Sequence, residues 1–136
     1  MRYGYLLDTN HLGLAVSPLS GVRVRLRRLR RAGVRTGTIV PVLCEIQVGV
    51  QYVSAADEYQ DNLRRLLAEV RIWPLDLATA QIYGRIAAQL KQRGRTISAV
   101  DMMLASLAEQ MDLVLVSTDS DFDALPHIPR EDWTKP

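Results

Sequence analysis

The chain has 136 residues, of which 48% are hydrophobic, and a formal net charge of +2 at pH 7. A chain of about this size can bury roughly 70% of its unfolded surface, so we expect one domain with a real core over residues 1–136. Because the sequence has no apolar run of about 18 residues and its start lacks the pattern of a cleavable signal, it predicts a soluble, cytoplasmic protein without a membrane segment.

Short extended apolar runs alternate with longer runs of helical period along the chain. This alternation is typical of strands and helices that build a parallel sheet, so the predicted class is α/β. The strands are predicted at residues 3–7, 35–39, 70–75 and 113–116. A short helix follows the first strand and has three candidate caps, Asp8, Thr9 and Asn10. The longer helices are predicted at residues 22–32, 41–53, 55–69, 77–93 and 99–111.

Acidic residues follow the first and the last predicted strand. Asp8 comes directly after residues 3–7, and Asp119 and Asp121 come shortly after residues 113–116. Open α/β sheets bind ligands at the carboxyl ends of their strands. If the two strands are adjacent and parallel, Asp8 and Asp119 lie side by side at that edge.

Two predicted helices each place one acid on a mainly apolar stripe. Glu45 has only Pro, Val and Gly residues three and four positions away, and the corresponding neighbours of Asp101 are apolar except for Ser98. An ionised carboxylate in such a place needs a positive partner, and neither stripe supplies Lys or Arg. We therefore expect these acids to join Asp8 and Asp119 around a divalent cation, which relieves their mutual repulsion.

The predicted ligands are all oxygens, which favours a hard ion. Mg²⁺ is the expected cofactor, and Mn²⁺ should substitute for it. Such an ion can activate a water and orient it in line with a scissile phosphate, so the pattern indicates phosphodiester hydrolysis. Each aspartate also has an ordinary structural interpretation, as a helix cap, part of a capping box or a turn residue. Glu45 has none.

Four short segments place these acids in an order that resembles the PIN-domain nucleases, and in particular the VapC toxins of bacterial toxin–antitoxin pairs. The segments are Leu6-Leu7-Asp8-Thr9-Asn10, the helix around Glu45, Val100-Asp101-Met102-Met103-Leu104-Ala105 and Ser117-Thr118-Asp119-Ser120-Asp121-Phe122. The resemblance covers nearly the whole chain and implies a three-layer α/β/α fold with a central parallel sheet. It also implies metal-dependent cleavage of single-stranded RNA or RNA loops, a homodimer, and neutralisation by a cognate VapB-like antitoxin.

The resemblance also implies roles for individual residues. Asp8, Glu45, Asp101 and Asp119 match the catalytic, metal-binding acids, and Thr9 matches a supporting residue that holds an acid or a water. The spacing from Asp101 favours Asp119 over Asp121 as the fourth acid, which leaves Asp121 as an outer ligand or a helix cap. The segment Glu131-Asp132-Trp133 is similar to one in family members that cut initiator tRNA, so tRNA is one candidate substrate.

Basic residues crowd two stretches of the chain. Seven arginines lie between residues 23 and 35, and a second group of basic residues lies between residues 85 and 95. Such runs are usually solvated helix faces, but they can also contact phosphates or an acidic antitoxin segment. The candidate RNA contacts are Arg27, Arg28, Arg93 and Arg95.

Three other classes of protein remain open on the sequence alone. A phosphatase that begins with an Asp-x-Asp motif would need a second aspartate where Asn10 stands, and a receiver-type domain would leave Glu45 unexplained. A non-catalytic RNA-binding or partner-binding domain would tolerate Asp8→Ala. Cys44 is the only cysteine, so no internal disulfide can form, and we expect its thiol in the core.

Overall fold

The computed structural model describes residues 4–135 and contains one five-stranded sheet with helices packed against it. The strands are β1 (Gly4–Leu7), β2 (Thr36–Thr38), β3 (Arg71–Ile72), β4 (Leu113–Val116) and β5 (Arg130–Glu131). The helices are α1 (Thr9–Ala15), α2 (Gly21–Arg31), α3 (Val40–Val50), α4 (Ala56–Leu67), α5 (Leu77–Gln92) and α6 (Ala99–Met111), and a 3-10 segment (Ser120–Ala124) follows β4.

The sheet is parallel throughout, with the strand order β3-β2-β1-β4-β5. At its centre β1 pairs with β4 from Gly4 opposite Leu113 to Leu7 opposite Val116, so the two strands end level with each other. The N–H of Asp8 continues this ladder by donating to the carbonyl of Val116 at 3.2 Å. The predicted α/β class is confirmed, and the first and last apolar strands are adjacent and parallel, which is the condition for Asp8 and Asp119 to share one edge.

Polar caps explain where the helices begin. The caps that accept a backbone N–H from the first turn are Asp8, Ser20, Asp76 and Ser98. Gly33 and Gly94 follow α2 and α5 with φ values of 76° and 68°, a conformation that glycine adopts without a Cβ clash. Helix boundaries therefore fall within three residues of the predicted ones.

The hydrophobic core is centred on β1 and β4. All four residues of β4 are buried, as expected for a parallel strand covered on both faces. Leu6 and Leu115 from the sheet pack in one cluster with helical side chains that include Leu12, Leu66 and Leu104. Within residues 4–135, no helix is long and apolar enough to cross a membrane.

The direction of the last two long helices places their ends relative to the sheet. Only Asp112 separates α6 from β4. The last turn of α6 therefore lies at the amino edge of the sheet and its first turn at the carboxyl edge. α5 runs antiparallel to α6, because Gln110 near the end of α6 donates to Asp76 at the start of α5 at 3.0 Å. The end of α5 therefore reaches the carboxyl edge.

Two predicted features of the sheet are corrected by the structure. The strand predicted at residues 70–75 is only Arg71–Ile72, because Pro74 has no N–H and cannot continue the ladder beyond Trp73. β5 was not predicted, since two polar residues show no period that sequence reasoning can detect. Tyr3, the predicted start of the first strand, lies outside the described residues.

The expectation that Cys44 lies in the core is wrong, because its side chain is exposed. α3 buries Val42, Ile46 and Val50, which are spaced four residues apart and define one face of the helix. Position 44 points away from that face. The apolar composition of this segment concealed which side is buried.

Candidate metal centre

Acidic side chains from separate elements meet at the carboxyl ends of β1 and β4. Asp8 directly follows β1, Asp119 follows β4, and Asp101 lies in the first turn of α6. Carboxylate oxygens of Asp101, Asp119 and Asp121 lie within 4.8 Å of one another. The charges of Asp8 and Glu45 also act on Asp101. The structure thus groups Asp101 with Asp119 and Asp121, and places Asp8 and Glu45 near enough for their charges to act on Asp101.

Asp101 is the acid most affected by this environment. Its pKa is raised from 3.8 to about 6, first by burial and then by the negative charges of Asp119, Asp8 and Glu45, against a hydrogen bond with Ser98 that lowers it. In the metal-free cluster, the ionised form of Asp101 is therefore energetically unfavourable. A divalent cation would relieve both the desolvation and the repulsion, and the all-oxygen donor set fits a hard ion.

Asp8 is held in a defined position by two hydrogen bonds to one of its oxygens. Its Oδ1 accepts the backbone N–H of His11 at 2.8 Å and lies 3.0 Å from Nδ1 of the His11 ring. Only 9% of the Asp8 side chain is exposed. Because both bonds use Oδ1, the second oxygen is left for another partner.

Thr9 connects the first helix to Glu45. Its hydroxyl donates to Oε1 of Glu45 at 2.5 Å, which joins α1 to α3 beside the cluster. Glu45 itself is exposed, so the expectation that it lies on a buried apolar face is wrong. It lies at the margin of the buried face that Val42 and Ile46 define. The expected burial is therefore found for Asp101 and not for Glu45, which Thr9 holds by a hydrogen bond.

A tight turn presents Asp119 and Asp121 to Asp101. The N–H of Asp119 donates to Oγ of Ser117 at 3.0 Å, and its Oδ1 accepts the N–H of Asp121 at 2.9 Å. The guanidinium of Arg130 donates to the Asp119 carbonyl and pairs with Asp123. Arg130 was missed from the sequence, because it belongs to the unpredicted strand β5.

In the part of the chain that the structure describes, no lysine or arginine pairs with the acids of this cluster. Among residues 4–135, no ion pair includes Glu45, Asp101, Asp119 or Asp121. Elsewhere in the same part of the chain, acids such as Glu69 and Glu109 are paired with arginine. A cluster left without such partners has the electrostatic character of a cation site.

The two basic stretches make different contacts. α2 leads into the amino end of β2, and Arg28 on this helix lines a surface cavity with Arg25 and Trp133. Arg27 donates to the carbonyl of Pro18. Arg93, at the end of α5, donates to the carbonyl of Ala124 at 2.9 Å, which places Arg93 and Arg95 on the side of the acid cluster.

Arg23 differs from the other arginines of its run because its side chain is only 3% exposed. It donates to Oε2 of Glu69 at 3.2 Å and to the carbonyl of Ala15 at 3.1 Å. It therefore joins the end of α1 to the segment before β3 and is a structural residue.

A family model described as the PIN domain matches residues 5–128. The chain belongs to the PIN domain family. It is 30% identical over 93 residues to ribonuclease VapC5 of Mycobacterium tuberculosis, which covers 67% of this chain and 69% of that protein. It is 26% identical over 132 residues to ribonuclease VapC2 of Rickettsia felis, which covers 96% of this chain and 98% of that protein.

The fold of this PIN domain agrees with that of a solved relative. It superposes with a TM-score of 0.83 on a chain of the crystal structure of VapBC2 from Rickettsia felis bound to a promoter DNA fragment. The two chains are 25% identical, and the match covers 95% of this chain and 98% of the other. The predicted resemblance to VapC-type PIN domains is confirmed. Because the chain belongs to the PIN domain family, the receiver-type and phosphatase alternatives are set aside.

Proposed function

We propose that this PIN domain is a Mg²⁺-dependent endoribonuclease that acts as the toxin of a toxin–antitoxin pair and hydrolyses RNA phosphodiester bonds. The observation that supports this most is that Asp8, Glu45 and Asp119 all act on Asp101 at one edge of the sheet, where no lysine or arginine among residues 4–135 pairs with any of the four acids. Two relatives with the name ribonuclease support the choice of RNA.

The ion would be held by carboxylates whose positions the surrounding chain fixes. We assign Asp8, Asp101 and Asp119 to its coordination, with Glu45 as the fourth acid and Asp121 as an outer ligand. When bound, a divalent ion supplies Lewis acidity, which lowers the pKa of a water and neutralises charge on the phosphodiester. Thr9 keeps Glu45 turned toward the cluster, and Ser117 and Arg130 keep Asp119 in its turn.

RNA phosphates would be held on the side where α5 ends. Arg95 is exposed there, next to Arg93, which is already bonded to the carbonyl of Ala124. We therefore propose Arg95 as a phosphate contact. Arg27 donates to the carbonyl of Pro18, and Arg28 lines a cavity with Trp133, so we propose no phosphate contact for either and use Arg28 as a matched control.

The proposed protein partner comes from a complex in which a similar protein is found. The superposing Rickettsia felis structure is a VapBC complex. We propose a VapB-like antitoxin encoded beside this chain, and a homodimeric toxin. Expression of the chain alone should arrest growth, and coexpression of the adjacent gene should relieve the arrest.

The cleavage reaction tests the proposal directly. Metal-stripped protein should leave RNA intact, added Mg²⁺ or Mn²⁺ should start cleavage, and EDTA should stop it. Asp8→Asn and Asp101→Asn should lower the rate by at least about 100-fold, since each removes a charged ligand. Asp112→Asn is the matched control, because Asp112 is exposed at the amino end of β4 in a left-handed conformation that Asn also tolerates.

Two outcomes would contradict the proposal. Cleavage that persists in the Asp101→Asn protein would point to a contaminating nuclease. RNA binding without cleavage under any divalent metal would point to a non-catalytic binding domain instead.

A further inference from the structure

A buried histidine stands between the acid cluster and the end of the chain. His11 is fully buried, with 0% of its side chain exposed. Its Nδ1 lies 3.0 Å from Oδ1 of Asp8, and its Nε2 accepts the backbone N–H of Trp133 at 3.1 Å. The ring therefore connects a candidate metal ligand on α1 to the segment that follows β5.

The second bond fixes which ring nitrogen carries the proton. The N–H of Trp133 can only donate, so Nε2 must present a lone pair, and the proton of a neutral ring must then be on Nδ1. Asp132 lies 3.7 Å from Nε2, beyond hydrogen-bond distance, and its Oδ1 already accepts the N–H and the hydroxyl of Thr134. Nδ1–H is thus left to donate to the carboxylate of Asp8.

The Trp133 end of this link is itself firmly anchored. Trp133 is only 5% exposed, its ring centroid lies 5.3 Å from that of Tyr5, and the Arg25 guanidinium lies 4.8 Å from the Trp133 centroid. Its Nε1 donates to Glu131 at 3.1 Å. A backbone N–H held in this way is a rigid reference point for the imidazole. Trp133 also lies beyond residues 5–128, the part that the family model matches.

We propose that His11 is a positioning residue: it donates Nδ1–H to Oδ1 of Asp8, directs the other oxygen of Asp8 toward the metal, and is kept in the required tautomer by the N–H of Trp133. This inference rests on the proposed function, because it treats Asp8 as a metal ligand. Hydrogen bonds to a ligating carboxylate typically change metal affinity by about 10- to 100-fold.

Two substitutions separate the bond to Asp8 from the bond to Trp133. The amide of Asn can reach the position of Nδ1, so His11→Asn keeps a donor for Asp8 and loses the acceptor for Trp133. The amide of Gln reaches the position of Nε2, so His11→Gln keeps the acceptor for Trp133 and loses the donor. Both variants replace the imidazole ring by a smaller amide and leave a space in the core, so both should lower the melting temperature of the metal-free protein.

The decisive readout is Mn²⁺ affinity, measured on the metal-stripped full chain by the loss of the free Mn²⁺ signal in electron paramagnetic resonance. We expect Kd to rise about 10-fold or more in His11→Gln and to stay within about 3-fold of the unsubstituted value in His11→Asn. Equal Kd values in the two variants would overturn the proposal, since a merely structural histidine would affect both alike.

Controls keep this test independent of the proposed function. His127→Gln changes the only other histidine, which is exposed and paired with Glu109, and should leave Kd unchanged. Asp8→Asn should abolish high-affinity Mn²⁺ binding. If the unsubstituted protein binds no Mn²⁺, the metal site itself fails; if it binds and only the comparison of Gln with Asn fails, His11 alone is refuted.

A second measurement needs no variant of His11. Nitrogen-15 NMR of the imidazole rings in the metal-free protein reports which nitrogen is protonated, and His127→Gln assigns the remaining signal to His11. The proposal requires a neutral ring protonated at Nδ1. A ring protonated at Nε2 would overturn it, because Nδ1 would then have no hydrogen to donate to Asp8.

Discussion

Replacing Asp101 by Asn should stabilise the metal-free protein at pH 8, although it should abolish cleavage. Asn has nearly the same shape, and its amide can still bond to Ser98, but it has no charge to desolvate and none to repel Asp8, Glu45 and Asp119. A group that burial and like charges penalise in the folded state costs stability when it is ionised. The substitution removes that cost.

The size of the effect follows from the pKa of Asp101. A rise from 3.8 to about 6 corresponds to about 3 kcal/mol. The side chain is only half-buried, so solvent screening reduces this figure, and we expect a gain of about 1 to 1.5 kcal/mol. For a protein of this size, that gain should raise the melting temperature by about 3 to 6 °C.

The sign of the pH dependence identifies the cause. Because the pKa of Asp101 is raised on folding, its protonated form favours the folded state below about pH 4, and this contribution is lost as the pH rises through about 6. Urea unfolding in EDTA should therefore show no difference between Asp101→Asn and the unsubstituted protein at pH 4, and the full difference at pH 8. An Asn variant that is less stable at pH 8 would refute the reasoning.

Three further predictions concern separate parts of the molecule. Thr9→Val should lower the cleavage rate about 10-fold while changing the free energy of unfolding by less than about 1 kcal/mol, since it removes one hydrogen bond to Glu45; an unchanged rate would deny Thr9 a role. Arg95→Ala should reduce by about one unit the slope of log RNA affinity against log salt concentration, and Arg28→Ala should not; equal slopes would remove Arg95 from the RNA path. Arg23→Ala should destabilise the fold by about 2 to 3 kcal/mol in urea unfolding, because it leaves the carbonyl of Ala15 and the carboxylate of Glu69 without their partner; a loss below about 1 kcal/mol would contradict this.

The sequence was most informative where its pattern is local or where a charge is out of place. Helix caps such as Asp76 and Ser98 and the apolar run of β4 predicted the elements, because capping and burial leave a signal within a few residues. Asp101 was predicted for the right physical reason, since its burial raises its pKa. The apolar strands that precede Asp8 and Asp119 indicated that these two acids follow strand ends, and the structure puts both ends at one edge of the sheet.

Other parts of the structure depend on contacts that the sequence does not encode locally. The apolar neighbours of Glu45 suggested burial, but α3 turns a narrower face inward, which leaves Glu45 and Cys44 exposed. β5 has only two polar residues, and its partner β4 decides its pairing. Without β5, neither the bond from Arg130 to Asp119 nor the bond from Trp133 to His11 could be foreseen.

The proposed function requires that remote acids bind a hard cation at the carboxyl edge of the sheet. Anomalous diffraction at the manganese edge, from crystals grown in saturating MnCl₂, tests it most directly. We expect an anomalous peak coordinated by carboxylate oxygens of Asp8, Asp101 and Asp119. A map with no peak there, while Glu45 and Asp101 turn away from each other, would contradict it.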